Sequence, residues 1–118
     1  MKGVLVIAHG SRIKETENTL IAILDMVRER MGDLCIEHAF MEFSDRTPAK
    51  AVQSLVDKNV TEIKVVPYFL FTGVHLNEDI PEIIRECVAE HPNVKIVMGE
   101  PLGVDARLAD ILIDRING

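Results

Sequence analysis

Val4-Leu5-Val6-Ile7-Ala8-His9-Gly10-Ser11 is a β-branched apolar run that stops at a histidine and a glycine. The same arrangement returns as Ile63-Lys64-Val65-Val66-Pro67-Tyr68-Phe69-Leu70, followed by Phe71-Thr72-Gly73-Val74-His75. Both runs read as buried strands, because parallel strands covered on both faces are nearly continuous in Val, Ile and Leu. If they are neighbouring parallel strands, both imidazoles emerge at one sheet edge, where open α/β proteins place their ligands.

The chain between and beyond them reads as alternating helices and strands. Leu20, Ile23, Leu24, Val27 and Met31 recur at helical spacing, and Gly32 follows as a C-cap. A second strand covers 34–41. Thr47 can then cap a helix whose first position is Pro48, running to about Asn59. The third strand, 62–70, leads through the His75 loop to a helix expected to start near Asn77 or Asp79, with Ile80, Ile83, Ile84, Cys87 and Val88 on its apolar face. On that reading Pro81 falls in the first turn, where backbone N–H groups lack helical partners anyway. A fourth strand covers 94–98, and Asp105 caps a last helix carrying Leu108, Ala109, Leu112, Ile113 and Ile116.

A β-α-β-α-β-α-β-α order with right-handed crossovers predicts one α/β domain over 1–118: a four-stranded parallel sheet of flavodoxin-like order 2-1-3-4 with helices on both faces. The first and third strands then flank the point where the winding reverses, and the loops after them, holding His9 and His75, diverge to leave a crevice.

Composition narrows the partners. With 118 residues the chain suits a single core, and with 47 % apolar but 4 % aromatic residues that core must be aliphatic. A formal charge of −6 with no Lys/Arg cluster argues against nucleic acid and for a small-molecule ligand. Cys35 and Cys87 form no CxxC, so a zinc ribbon or thioredoxin-like motif is excluded. No apolar run approaches a membrane span or a secretory leader, and the expectation is a reduced, cytoplasmic setting.

Two converging imidazoles can hold a divalent transition metal or accept protons near neutral pH. Structural zinc sites use about four ligands, so a two-histidine crevice holds metal weakly, which suits handing it on. Glu42 and Glu100 follow the second and fourth strands and project from the same edge, where either can complete a metal shell or relay protons. Arg12, Lys14, Arg46 and Lys50 lie there too and offset the negative charge for an acidic ligand. Gly10 and Ser11 suit a tight turn that caps the first helix, and Gly73 relaxes the loop before His75. His38, inside the second strand, reads as half-buried, and His91 as a helix-end residue favoured by the dipole.

The AHGS start, the PYFLFTGVH centre and the trailing Asp79-Ile80-Pro81 together resemble the short CbiX family, small chelatases that insert cobalt, nickel or iron into sirohydrochlorin. The resemblance runs over essentially the whole chain. It implies that His9 and His75 bind the incoming metal and help remove the two pyrrole protons it replaces. It further implies that the carboxylate-bearing tetrapyrrole lies at the strand C-termini, with Ser11, Arg12, Glu42, Arg46, Phe71, Thr72, Gly73 and Val74 as substrate contacts. No cofactor is expected to be permanently bound; Co²⁺, Ni²⁺ or Fe²⁺ enters as substrate, and a homodimer completes the cleft. Which histidine ligates and which accepts protons stays open.

Two rival readings differ in what they require of the sequence. A histidine phosphatase also begins strand-His-Gly, but needs Arg before the His, and Ala8 stands there. A carrier of metal or tetrapyrrole that does no chemistry is the alternative to an enzyme.

Overall fold

The computed structural model describes all residues except Thr72, and all side chains except those of Thr72 and His75. Eight elements alternate: β1 (Lys2–Ala8), α1 (Glu15–Met31), β2 (Cys35–Phe40), α2 (Pro48–Asp57), β3 (Glu62–Pro67), α3 (Val74–Glu90), β4 (Lys95–Met98) and α4 (Ala106–Asn117). The strands form one parallel sheet in the order β2-β1-β3-β4, as the sequence predicts.

The register sorts the side chains by face. Val4, Val6 and Ala8 of β1 stand beside Ile36, His38 and Phe40 of β2, and α1 covers them with Leu20 and Leu24. The other face carries Leu5, Ile7, Ile63 and Val65, packed under Ala51, Val52 and Leu55 of α2 and Cys87 of α3. Burial in this second cluster pushes the Cys87 thiol above its ordinary value, aided by the carboxylates of Glu90 and Glu86. Two of the caps expected at helix starts are present: Thr47 Oγ1 accepts from the Lys50 N–H at 3.3 Å and Asp105 Oδ1 from the Arg107 N–H at 2.9 Å.

Three local expectations change. β3 ends at Pro67 rather than at residue 70, although the Tyr68 N–H still reaches the Ile7 carbonyl at 2.7 Å. α3 starts at Val74, not near residue 77, because extended Gly73 is its cap and the Asn77 N–H already donates to the Gly73 carbonyl at 3.1 Å. Residue 75 thereby stands in the first helical turn instead of in a loop, and Pro81 lies inside the helix, removing the bond that would reach the Asn77 carbonyl. Ser11 does not cap α1; its hydroxyl accepts from the Ile13 N–H at 3.1 Å, and α1 begins at Glu15 without a side-chain cap.

Candidate metal-handling site

Two strands end together at Ala8 and Phe40, but their hydrogen bonding does not. The Met41 N–H donates to the Ala8 carbonyl at 2.9 Å and the Glu42 N–H to the His9 carbonyl at 3.1 Å. This continuation carries Glu42 alongside His9, with 3.3 Å between His9 Nε2 and Glu42 Oε1. Gly10 makes the approach possible. Its φ is +101°, and a Cβ there would lie 2.1 Å from the Glu42 carbonyl oxygen, so no other residue fits. The imidazole and the carboxylate are both about half exposed, at 58 % and 47 %, and open to a ligand.

Residue 75 reaches the same edge, since α3 follows β3 and β3 pairs with β1. Its imidazole and Thr72 are outside the described residues. Leu70, Phe71 and Val74 around them are 52 %, 86 % and 71 % exposed, an apolar rim beside the polar pair. Among the described residues no group of three or more His, Cys, Asp or Glu side chains gathers as a metal cluster; His9 and Glu42 are a pair.

One hollow reaches His9, and a second is lined by the residues that follow His9-Gly10 and Glu42 in sequence. The first, of about 420 Å³, runs from His9 and Gly10 along Thr19, Leu20 and Ile23 of α1 to Phe40 and Tyr68. The other, of about 240 Å³, is lined by Ser11, Arg12, Lys14, Thr16, Phe43 and Ser44. The Arg12 guanidinium lies over the Phe43 ring at 4.8 Å from its centroid, a cation–π contact. Phe43 and Tyr68 carry no sequence signal for a site. The one pointer to Phe43 is its backbone, held at φ 61°, which an aromatic residue seldom adopts.

The remaining candidates are dispersed. Arg46 is engaged away from His9, its Nε donating to the His38 carbonyl at 3.2 Å and its NH2 to Glu37 Oε2 at 2.8 Å. Lys58 and Ser54 donate to the other oxygen of Glu37. Burial alone would raise the Glu37 pKa; the hydrogen bonds from Lys58 and Arg46, the Lys58 charge and Ser54 outweigh it and hold the carboxyl below its ordinary value. Glu100 follows β4, which β3 separates from β1, so it starts about 10 Å from the His9 side. His38 is buried against α1 with Nε2 2.9 Å from Glu17 Oε2, an inter-element tie, and His91 is the C-cap of α3.

The CbiX family model matches residues 3–118. The chain belongs to the CbiX family. Two relatives differ in length. This CbiX chain is 38 % identical over 116 residues to a sirohydrochlorin cobaltochelatase of Sulfurisphaera tokodaii, covering 98 % of itself and 92 % of that protein. It is 35 % identical over 117 residues to a sirohydrochlorin ferrochelatase of Priestia megaterium, covering 99 % of itself but only 44 % of the relative. Among solved structures, the sirohydrochlorin chelatase SirB from Bacillus subtilis subspecies spizizenii in complex with cobalt superposes with a TM-score of 0.90 at 28 % identity, over 98 % of this chain and 50 % of that one.

Proposed function

We propose that this CbiX chain is an enzyme that inserts a divalent metal ion into sirohydrochlorin, with His9, Glu42 and His75 handling the metal and the displaced protons. The observation that carries this reading is the His9–Glu42 pair, 3.3 Å apart and half exposed, at the sheet edge where the winding reverses. The names of the relatives supply the substrate class.

The chemistry follows from the donor set. Insertion replaces two pyrrole N–H protons by M²⁺, so the site must release one cation and take up two protons for each turnover. Imidazole nitrogen and carboxylate oxygen do both, because each binds a divalent ion and each accepts a proton once the ion has left. A set below four protein ligands leaves positions for the macrocycle nitrogens and keeps the ion transferable. The backbone clamp between Glu42 and His9 holds the donors in place while the metal moves, so little reorganisation accompanies transfer. Arg12 and Ser11 are assigned to the tetrapyrrole carboxylates, and Phe71, Thr72, Gly73 and Val74 to its flat apolar face.

Cobalt is the proposed physiological metal, with nickel and iron as alternatives that the same ligands accept. Metal passes through as substrate and is not resident. We further place the protein in the cytoplasm, where its free Cys35 and Cys87 stay reduced, and take its working form to be a homodimer. No helix of the described residues is long and apolar enough to cross a membrane.

The test is the visible absorbance of sirohydrochlorin mixed with Co²⁺, Ni²⁺ or Fe²⁺ at equal free concentration, with and without protein. Acceleration over the protein-free control is expected, fastest with Co²⁺. Binding of the pigment with no gain in insertion rate would make the protein a carrier.

A further inference from the structure

The two loops that bring His9 and Glu42 together meet a second time just beyond that pair. His9 stands 3.3 Å from Glu42, and further along the same loop the Arg12 guanidinium lies over the ring of Phe43, the residue after Glu42, at 4.8 Å from its centroid. Phe43 is an unexpected residue for its place. Its backbone sits at φ 61°, which suits Gly, Asn or Asp and disfavours an aromatic side chain. The side chain is 52 % exposed, so core packing does not hold it there either. What the ring does have is a cation.

Arg12 is unusual in turn. Arg28, Arg46, Arg85, Arg107 and Arg115 each pair with a carboxylate, whereas Arg12 makes no ion pair among the described residues. A ring beneath a guanidinium engages its charge and leaves its N–H donors to an anion. Those donors border the hollow of about 240 Å³, whose walls also carry Lys14 and the hydroxyls of Ser11, Thr16 and Ser44. Ser11 Oγ accepts from the Ile13 N–H at 3.1 Å and Ser44 Oγ from the Arg46 N–H at 3.0 Å, so each hydroxyl keeps its own proton to donate. Glu17 is the one carboxylate lining this hollow among the described residues, and it is tied to the sheet, with Oε2 2.9 Å from Nε2 of buried His38. Two cations and free hydroxyl protons around one hollow suit a carboxylate ligand.

We propose that Phe43 is a positioning residue: its ring holds Arg12 over this hollow, so that one peripheral carboxylate of the macrocycle is seated there in register with the His9–Glu42 pair. This role rests on the substrate reading of the preceding section and adds the group that sets where Arg12 stands. An unsupported arginine gives up its rotamer freedom when a ligand arrives, and one already resting on a ring has given much of it up beforehand. Arg12 shares a loop with His9, and Phe43 shares one with Glu42. Seating the carboxylate therefore also fixes the pyrrole nitrogens relative to the metal donors.

Metal-free sirohydrochlorin titrated into the protein, followed by its visible absorbance, gives a Kd without turnover. Phe43→Asn supplies a residue that accepts φ 61° and removes the ring. Its Kd is expected to rise about tenfold and the KM for sirohydrochlorin with it, while kcat, the KM for Co²⁺ and the melting temperature hold. Phe43→Tyr, which keeps a ring under the cation, is expected to rescue binding. Arg12→Ala should weaken binding by at least about tenfold, and Arg12→Ala combined with Phe43→Asn no further, because Phe43 acts through Arg12. A wild-type Kd for Phe43→Asn would overturn the proposal. So would losses that add in the double variant, which make the ring a direct contact of the macrocycle, or a melting temperature that falls with the affinity, which makes it a structural one. Insertion rates on the same samples separate the two readings: pigment binding that depends on Arg12 and Phe43 without accelerated insertion sinks the enzyme assignment alone, and accelerated insertion indifferent to Phe43 sinks the positioning role alone. Wild-type protein that binds no pigment sinks both.

Discussion

The loops after β1 and after β3 reach one edge of the sheet, yet they are built in opposite ways. The first is clamped: two backbone hydrogen bonds past the strand ends, a glycine at φ +101° and a 3.3 Å side-chain contact tie His9 to Glu42. The second is an apolar rim in which Leu70, Phe71 and Val74 face solvent. A site made this way fixes its donors on one side and leaves the other to be covered by a ligand or a second subunit. On the proposed function, polar geometry is set before substrate arrives and apolar contact is completed by it.

The sharpest way to break the contrast is to remove a clamped donor. His9→Ala is expected to lower the rate of metal insertion by about 100-fold or more, the scale of a lost acid–base group, with the melting temperature unchanged because the ring is more than half exposed. Loss of both rate and fold would move His9 from the chemistry to the scaffold. Gly10→Ala attacks the clamp itself. Its Cβ meets the Glu42 carbonyl at 2.1 Å, so the 41–42 backbone must move; stability should fall by at least about 2 kcal/mol and insertion with it. An alanine variant with wild-type Tm and rate would show that the close approach is not needed.

Glu42→Gln keeps the shape and removes the charge. The rate should fall about tenfold, as for a partner that orients and polarises a metal-binding imidazole, and the loss should grow when free metal is made limiting. An unchanged dependence on metal concentration would leave Glu42 as a proton acceptor only.

Beneath the clamp, Glu37 holds Arg46, whose carbonyl accepts from the Phe40 N–H at 2.9 Å and so fixes the chain just before Glu42. Glu37→Gln is expected to cost about 2 kcal/mol at neutral pH, read as a drop of several degrees in Tm. Because the folded-state pKa of Glu37 lies below its ordinary value of 4.5, the stability it contributes is complete above that value and is lost as pH falls through the depressed one. The Tm gap between wild type and variant should therefore close toward low pH; a gap independent of pH would mean that packing, not charge, is what Gln disturbs.

Strand order and the placing of residues 9, 42 and 75 at one edge were legible because they follow from topology, which apolar runs and caps declare directly. The His9–Glu42 contact was not, since it depends on how far two strands stay paired beyond their ends, and nothing local at Met41-Glu42 announces that. The start of α3 is illegible for a related reason: Asn77 and Asp79 look like caps and Pro81 like a first-turn proline, but extended Gly73 caps the helix and Pro81 lies inside it, next to buried Ile80. Arg46 looked like a surface cation near an acidic ligand; its partner Glu37, on the neighbouring strand, can be found only in three dimensions.

The mildest change tests the open side. Phe71 is 86 % exposed, so Phe71→Ser removes little that the isolated chain uses, and stability should stay within about 0.5 kcal/mol. If the ring is a resting place for the macrocycle, KM for sirohydrochlorin should rise about tenfold, a loss of 1.4 kcal/mol of binding, with kcat held. A single apolar side chain placed on a flat aromatic ligand supplies that much and little more. The opposite result, a fall in Tm or dimer stability with KM unchanged, assigns the rim to subunit contact and makes the clamped side alone responsible for holding substrate.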